Sequence, residues 1–302
     1  MHRLFFYGFA FSFLLLLSGC QTRQPALTHP IAQGCDYYSL KAAQCLTQAR
    51  LLEKLEPYQV IFIGDHHSED DLHNTIALLI TALSQKGYKV HLANEWFTPS
   101  DTKTLELFTN NDINETEFLE QIQWKKRNRF YSYDSFKPMY EAVKNNKGYL
   151  HGINLSKAEQ KRLSDDNLSA MDKDERTFEA GLDLDVAPHK ELVMPFLSHC
   201  HAPKKGESLQ ACIDRMYRVQ VAWDSKMALE SHALAKALAK DEKLIVFAGS
   251  MHIENGLGIP LRFARLSNIL TASIIPIDTK TTEVNSGLGD FLLLYQQKEL
   301  SK

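Results

Sequence analysis

The sequence contains no Cys-x-x-Cys pair, no Cys-x-x-Cys-His and no His-Glu-x-x-His. The first absence argues against a cysteine metal site. The second excludes covalent haem attachment, and the third removes the local helical zinc signature. A dominant charge is missing too. Against 34 Lys and Arg stand 37 Asp and Glu, and a net charge of −3 argues against a nucleic-acid partner. The chain has no internal repeat and no long low-complexity tract. What is present is 302 residues, 44% hydrophobic and 24% charged, an ordinary globular composition long enough for a sizeable core.

The N-terminus reads as a targeting segment. Met1-His2-Arg3 is a short basic start, Leu4 to Leu17 is apolar, and Ser18-Gly19-Cys20 follows. This pattern fits a secretory signal peptide over residues 1–19, too short for a membrane span. Leu17-Ser18-Gly19-Cys20 resembles the bacterial lipobox, which implies cleavage before Cys20 and acylation of that residue. Such a lipid ties a soluble domain to a membrane surface without crossing it. Gln21 stands where lipoproteins kept at the inner membrane commonly carry aspartate, so the expected place is the outer membrane of a bacterial envelope. Residues 20–34, with Pro25 and Pro30, read as the acylated cysteine and a linker. Cys35, Cys45, Cys200 and Cys212 remain, an even set that suggests disulfides in an exported chain. Of the possible pairings, Cys35–Cys45 and Cys200–Cys212 are the simplest.

Residues 35–302 are expected to form one α/β domain. Tyr38 to Leu55 has helical spacing. Val60 to Ile63 is a near-continuous apolar run, the mark of a strand buried on both faces. Ser68 followed by acidic residues predicts a helix start, and the helix runs to Gln85. Lys89 to Asn94 is a second strand, and strand–helix–strand of this length predicts a parallel pair. Thr98 to Lys147 reads as mostly helical, with an aromatic and basic cluster from Trp124 to Tyr133. Tyr149 to Asn154 is a short strand. About 155–243 predicts an α-helical insert, with its longest helix over Glu207 to Lys240. Strands return at Leu244 to Ala248, Ser273 to Ile277 and Phe291 to Tyr295, with a helix near Leu261 to Leu266 between them. The expected class is therefore α/β, a mainly parallel sheet flanked by helices, with a smaller α-helical subdomain.

Two stretches share one pattern. Val60 to Gly64 leads into Asp65-His66-His67, and Leu244 to Gly249 leads into Ser250-Met251-His252. Each is an apolar strand, a glycine, and a histidine three residues on. In open α/β sheets ligands bind at the carboxyl ends of strands, so Asp65, His67, Glu95 and His252 are expected at one cleft. His66 is expected to point away. These carboxylates and imidazoles suit a divalent transition metal or metal-free acid–base work. Tyr217, Gln220 and Asp224 share one face of a predicted helix, with Arg215 nearby. On periodicity alone that face reads as solvated. For a non-covalent porphyrin, Tyr131, Tyr133, Tyr140 and Tyr217 with neighbouring Lys and Arg are possible parts. His73, His91, His151 and His189 read as surface or core histidines.

Several of these motifs together resemble the ChaN family of haem-binding lipoproteins, in the Tiki/erythromycin-esterase-like superfamily. They are Ile63-Gly64-Asp65-His66-His67, Asn94-Glu95-Trp96-Phe97, Gly152-Ile153-Asn154, Gln220-x-x-Trp223-Asp224-x-x-Met227-Ala228, and Ala248-Gly249-Ser250-Met251-His252 with Gly258-Ile259-Pro260. Their order and spacing hold over roughly residues 58–280. The resemblance implies a parallel-sheet core, non-covalent haem held by a tyrosine, a homodimer, and a haem-uptake receptor as partner. For the tyrosine, Tyr217 is the first expectation and Tyr140 the second, with His67, His252 and Gln220 around the cofactor. Tiki relatives also imply an alternative, a metal-dependent hydrolase. In it His67 and His252 bind metal, and Asp65 or Glu95 serves as ligand or general base. One departure stands out: the family's usual Gly-Glu-x-His appears here with Asp65, one methylene shorter.

Overall fold

A computed structural model describes residues 28–165, 168–201 and 203–298. The signal peptide and Cys20 lie outside these residues. The strands are β1 (Thr28–Pro30), β2 (Tyr37–Ser39), β3 (Gln44–Leu46), β4 (Val60–Asp65), β5 (Lys89–Asn94), β6 (Tyr149–Gly152), β7 (Glu242–Gly249), β8 (Thr271–Asp278), β9 (Glu283–Asn285) and β10 (Phe291–Tyr295). The first helices are α1 (Gln48–Leu55), α2 (Asp70–Gln85), α3 (Thr102–Thr109), α4 (Glu115–Gln121), α5 (Trp124–Arg127) and α6 (Tyr133–Asn145). The rest are α7 (Lys157–Ser164), α8 (Lys173–Ala180), α9 (Ala187–Leu197), α10 (Leu209–Ala237) and α11 (Ile259–Leu266).

The main sheet runs β3-β2-β10-β8-β4-β7-β5-β6. Every pairing from β10 to β6 is parallel, and β2 and β3 add antiparallel strands at one edge. Alternate side chains of the central strands go to opposite faces. Ile61, Ile63, Ile245 and Phe247 join a core under α2 and α6. Val60, Phe62, Val246 and Ala248 join a second core with Met227 and Ala228 of α10 and Phe263 of α11. Burial on both faces is why these strands read as unbroken apolar runs. The chain moves from β4 out to β5 and β6. It then returns through the helical insert to lay β7 between β4 and β5, and turns the other way to β8. The ends of β4, β7 and β5 thus meet where the winding reverses, the place open α/β sheets use for ligands.

The strand ends approach closely because glycine sits there. Gly64 is paired with Ala248. A Cβ on Gly64 would stand 2.6 Å from Ser250 Oγ and 2.9 Å from Pro276 Cδ. At the opposite end of the sheet, Lys243 is buried at the start of β7. Its Nζ donates to the carbonyls of Leu55, Glu56 and Tyr58 at 3.1, 3.1 and 2.7 Å, which ties the C-terminal end of α1 to the sheet.

Three readings change. Tyr38 to Leu55 is not one helix: β2 and β3 form a hairpin closed by the Cys35–Cys45 disulfide, and only Gln48–Leu55 is helical. The turn between them places Ala43 at φ 52°, which breaks any helix there. Ser68 does not cap α2, because it takes φ 67° and Glu69 occupies the cap position. The chain also joins the fold at Thr28, inside the stretch read as linker, where β1 pairs with β9. The second disulfide, Cys200–Cys212, joins the segment after α9 to the first turn of α10.

Candidate functional site

The turn after β4 gives Asp65 and His67, the turn after β5 gives Glu95, and the turn after β7 gives His252. All four converge. His67 Nε2 lies 3.5 Å from Glu95 Oε1, and His252 Nε2 lies 3.6 Å from Glu95 Oε2. The backbone N–H of Gly249 donates to Glu95 Oε1 at 3.0 Å and fixes the carboxylate between the rings. A side chain at 249 would press on His67, whose Cε1 would sit 3.3 Å from the added Cβ. His66 turns away to Tyr295, with Nδ1 2.7 Å from the hydroxyl.

Each imidazole is held from behind by a buried aspartate. His67 Nδ1 donates to Asp65 Oδ2 at 2.6 Å, and His252 Nδ1 donates to Asp224 Oδ1 at 2.5 Å. The amide of Gln220 stands 3.0 Å from the same His252 nitrogen. An ionised carboxylate only accepts, so both rings keep Nδ1–H and turn Nε2 to Glu95. Burial pushes the Asp65 carboxyl up, but hydrogen bonds from His67 and His73 outweigh it and hold it below its usual range. The same balance holds Asp224 low, through His252 and His189. Burial lowers His67 and His252, yet Asp65 and Glu95 for the first and Asp224 for the second bring each above the ordinary imidazole value.

The solvated reading of the α10 face does not hold: Gln220 and Asp224 are buried against His252. Two of the histidines read as surface or core residues are also part of the arrangement. His73 on α2 donates from Nε2 to Asp65 Oδ1 at 2.7 Å. His189 on α9 brings Nε2 to 3.0 Å from Asp224 Oδ2, off the line of a straight hydrogen bond. For His73 a signal existed, since it lies in the apolar stripe Leu72, Ile76, Leu79 and Leu83, and a buried imidazole needs a partner. For His189 the sequence offered none.

The tyrosines fall differently. Tyr140 is 0% exposed, packed against Phe97 and Phe136, and burial raises its phenol well above the ordinary value. Tyr217 is 2% exposed, with its hydroxyl 3.3 Å from His189 Nδ1. Neither lines the cleft. Tyr131 does: its ring lies 5.0 Å from those of His67 and Trp96. The cleft measures about 690 Å³, with Trp96, Tyr131 and Trp223 among its walls and Lys126 and Lys157 at its rim. On the far side of Tyr131 a second hollow of about 930 Å³ is lined by Leu119, Phe130 and Tyr133, with Lys125 and Arg129. Lys157 Nζ donates to the carbonyls of Lys126 and Arg127 at 3.3 and 2.9 Å, and Arg127 pairs with Asp101 at 2.6 Å. These contacts pin the basic segment between the hollows.

The sequence profile of the family described as haem-binding uptake, Tiki superfamily, ChaN matches residues 51–263. No curated protein matches the sequence. Among solved structures, ChaN of Campylobacter jejuni, described as binding haem cofacially, superposes with a TM-score of 0.67 at 18% identity. That match covers 88% of this chain and all of the other. The type III effector HopBA1 gives a TM-score of 0.46 at 14% identity, covering 83% of this chain and 94% of the effector. An erythromycin esterase mutant, EreC in its open conformation, gives 0.47 at 14% identity, covering 80% and 77%. With its profile match spanning more than half the sequence, the chain belongs to the ChaN family of the Tiki superfamily.

Proposed function

We propose that the chain is a haem-binding protein of the bacterial cell envelope that takes part in haem uptake. Family membership supports haem as the ligand, and the lining of the two hollows fits it. The observation that carries the assignment is the segment from Trp124 to Tyr133. It sets Phe130, 81% exposed, among Lys125, Lys126 and Arg129, with Tyr131 on the partition between the hollows. A porphyrin is a flat apolar ring with carboxylates on one edge, and it asks for an aromatic wall, cations and an axial ligand. Phe130 and Tyr133 supply the wall, and Lys125, Lys126 and Arg129 the charge for the carboxylates. Tyr131 is the iron ligand of this proposal, in place of Tyr217 and Tyr140. Burial first, then Glu95 and Asp65, raise its phenol pKa, so ligation requires loss of a proton that the site otherwise retains.

A homodimer is part of the proposal, because haem held on the exposed Phe130 ridge is covered by a second copy. The lipid anchor on Cys20, an outer-membrane place and a haem-uptake receptor as partner rest on the N-terminal motif and the family. Titration of the purified chain with haemin tests the assignment. A saturable high-spin spectrum of the tyrosinate type with a rise in mass to a dimer is the expected result, and no specific binding contradicts it. Intact mass after membrane extraction tests the anchor: acyl mass on a chain beginning at Cys20 supports it, and an unmodified start contradicts it.

A second reading, a metal-dependent hydrolase, is favoured by one observation. Two imidazole Nε2 atoms and one carboxylate converge, and each imidazole is clamped by a buried aspartate. Two histidines and a carboxylate are a donor set for divalent transition metals, and carboxylates behind the rings are the usual support. The ligands of this reading are His67, Glu95 and His252. Asp65 also has an oxygen within 4.8 Å of donor atoms of His67 and Glu95, and it remains a candidate ligand, though His67 and His73 engage both of its oxygens. A bound metal would supply Lewis acidity and an activated water. Metal analysis of protein prepared without haem tests it: stoichiometric metal that is lost in His252→Ala supports it, and metal-free protein contradicts it.

A further inference from the structure

The candidate site is built as two matching arms. In the first, α2 brings His73 to Asp65, and Asp65 holds His67. In the second, α9 brings His189 to Asp224, and Asp224 holds His252. Each arm is histidine, aspartate, histidine, and both end on Glu95. The four side chains behind His67 and His252, namely His73, Asp65, His189 and Asp224, have no solvent exposure. The helical insert is therefore part of the site, since α9 and α10 supply His189 and Asp224 of the second arm.

Both outer histidines are themselves fixed. His73 Nδ1 lies 2.9 Å from the carbonyl and the hydroxyl of Ser135 on α6. His189 Nδ1 lies 3.3 Å from the hydroxyl of Tyr217 on α10. An aspartate touched on one oxygen alone could swing about its Cβ–Cγ bond and carry the inner imidazole with it. In the first arm the His73 hydrogen bond engages the second oxygen and blocks that rotation. In the second, His189 Nε2 stands 3.0 Å from Asp224 Oδ2 as a charge contact without a hydrogen bond and limits the swing by packing. The arms thus hold the Nε2 atoms of His67 and His252 against the Glu95 carboxylate, 3.5 Å from Oε1 and 3.6 Å from Oε2.

We propose that His73 and His189 are positioning residues that set the metal-binding geometry of His67 and His252 through Asp65 and Asp224. The proposal deepens the metal reading and rests on it. Haem binding at the Tyr131 hollows does not depend on either histidine.

The test uses Co(II) as the probe on haem-free protein, with the visible spectrum and a binding isotherm as readouts and a haemin titration beside them. His189→Phe and His73→Phe keep a ring and remove the N–H. Their Co(II) affinity is expected to fall about 10- to 100-fold, the usual effect of losing such a partner, with an altered ligand-field band and unchanged haemin binding. His189→Gln and His73→Gln return an N–H donor and are expected to restore most of the affinity. Arg262 Nη1 stands 3.7 Å from Asp224 Oδ2, so the aspartate keeps a cation beside it in the His189 variants. Tyr217→Phe is the mildest variant, freeing His189 Nδ1 without touching an aspartate. It is expected to weaken Co(II) binding several-fold. Wild-type protein that binds no Co(II) overturns the metal reading and this proposal with it. Wild-type binding that the folded Phe variants and Tyr217→Phe reproduce overturns this proposal alone.

Discussion

Asp65 Oδ1 accepts a hydrogen bond from His73 Nε2 at 2.7 Å, with neither side chain exposed to solvent. This contact gives the short first motif its meaning. The aspartate sits at the end of β4 with no room to spare. Asp65→Glu adds a methylene there and is expected to lose about 1–3 kcal/mol by overpacking. Asp65→Asn keeps the volume but removes the charge that faces both His67 and His73. A loss of about 3–5 kcal/mol is expected for a broken buried pair. Urea unfolding measures both, and wild-type stability in Asp65→Asn would refute the dual contact.

Lys243 makes three hydrogen bonds to carbonyls at the end of α1 from a position 2% exposed. Bonds to a charged group are worth about 1.5–3 kcal/mol in net terms. Lys243→Met leaves those carbonyls unpaired, so a loss of at least that size is expected in the same unfolding experiment.

The paired acids and imidazoles set a pH window. Asp65 and Asp224 have folded values below the ordinary 3.8, so their contribution is present above that pH and is lost as pH falls through the folded values. His67 and His252 have folded values above the ordinary 6.5. Their contribution is full below 6.5 and fades as pH rises through the folded values. Because each histidine titrates with its aspartate, the midpoints belong to the pairs. Thermal melts from pH 3 to 9 are expected to show highest stability between about pH 4 and 6.5. His67→Gln is expected to flatten the alkaline side.

The disulfides close short loops, with sequence separations of 10 and 12 residues. A loop of this size contributes about 3 kcal/mol in the chain-entropy account. Reduction is expected to lower the melting temperature, and Cys200→Ser with Cys212→Ser separates the effect of the insert from that of the hairpin.

The sequence revealed the strand ends because both faces of the sheet are covered. Val60 to Gly64 and Leu244 to Gly249 therefore appear as apolar runs broken by glycine, with the polar residues displaced just beyond. The β2–β3 hairpin was hidden because strands of three residues carry no periodicity, and Leu40 to Ala43 has the composition of a helix. Spacing sets Asp224 and Gln220 on one helical face, but it cannot say whether such a face meets solvent or His252. His189 was invisible, since its contact with Asp224 joins two helices of the insert across residues that share no pattern. Tyr217 lies on the same face as Gln220 and Asp224, but its hydroxyl meets His189 and not the cleft. Tyr131 was one aromatic among many until the fold set its ring beside His67.

The most direct measurement is a haemin titration of the wild-type chain beside Tyr131→Phe and Tyr217→Phe, read by the visible spectrum. The expected result is a tyrosinate-type spectrum in the wild type and in Tyr217→Phe, and its loss in Tyr131→Phe. Retention of that spectrum in Tyr131→Phe, or its loss in Tyr217→Phe, would contradict the placement of haem at the Tyr131 hollows.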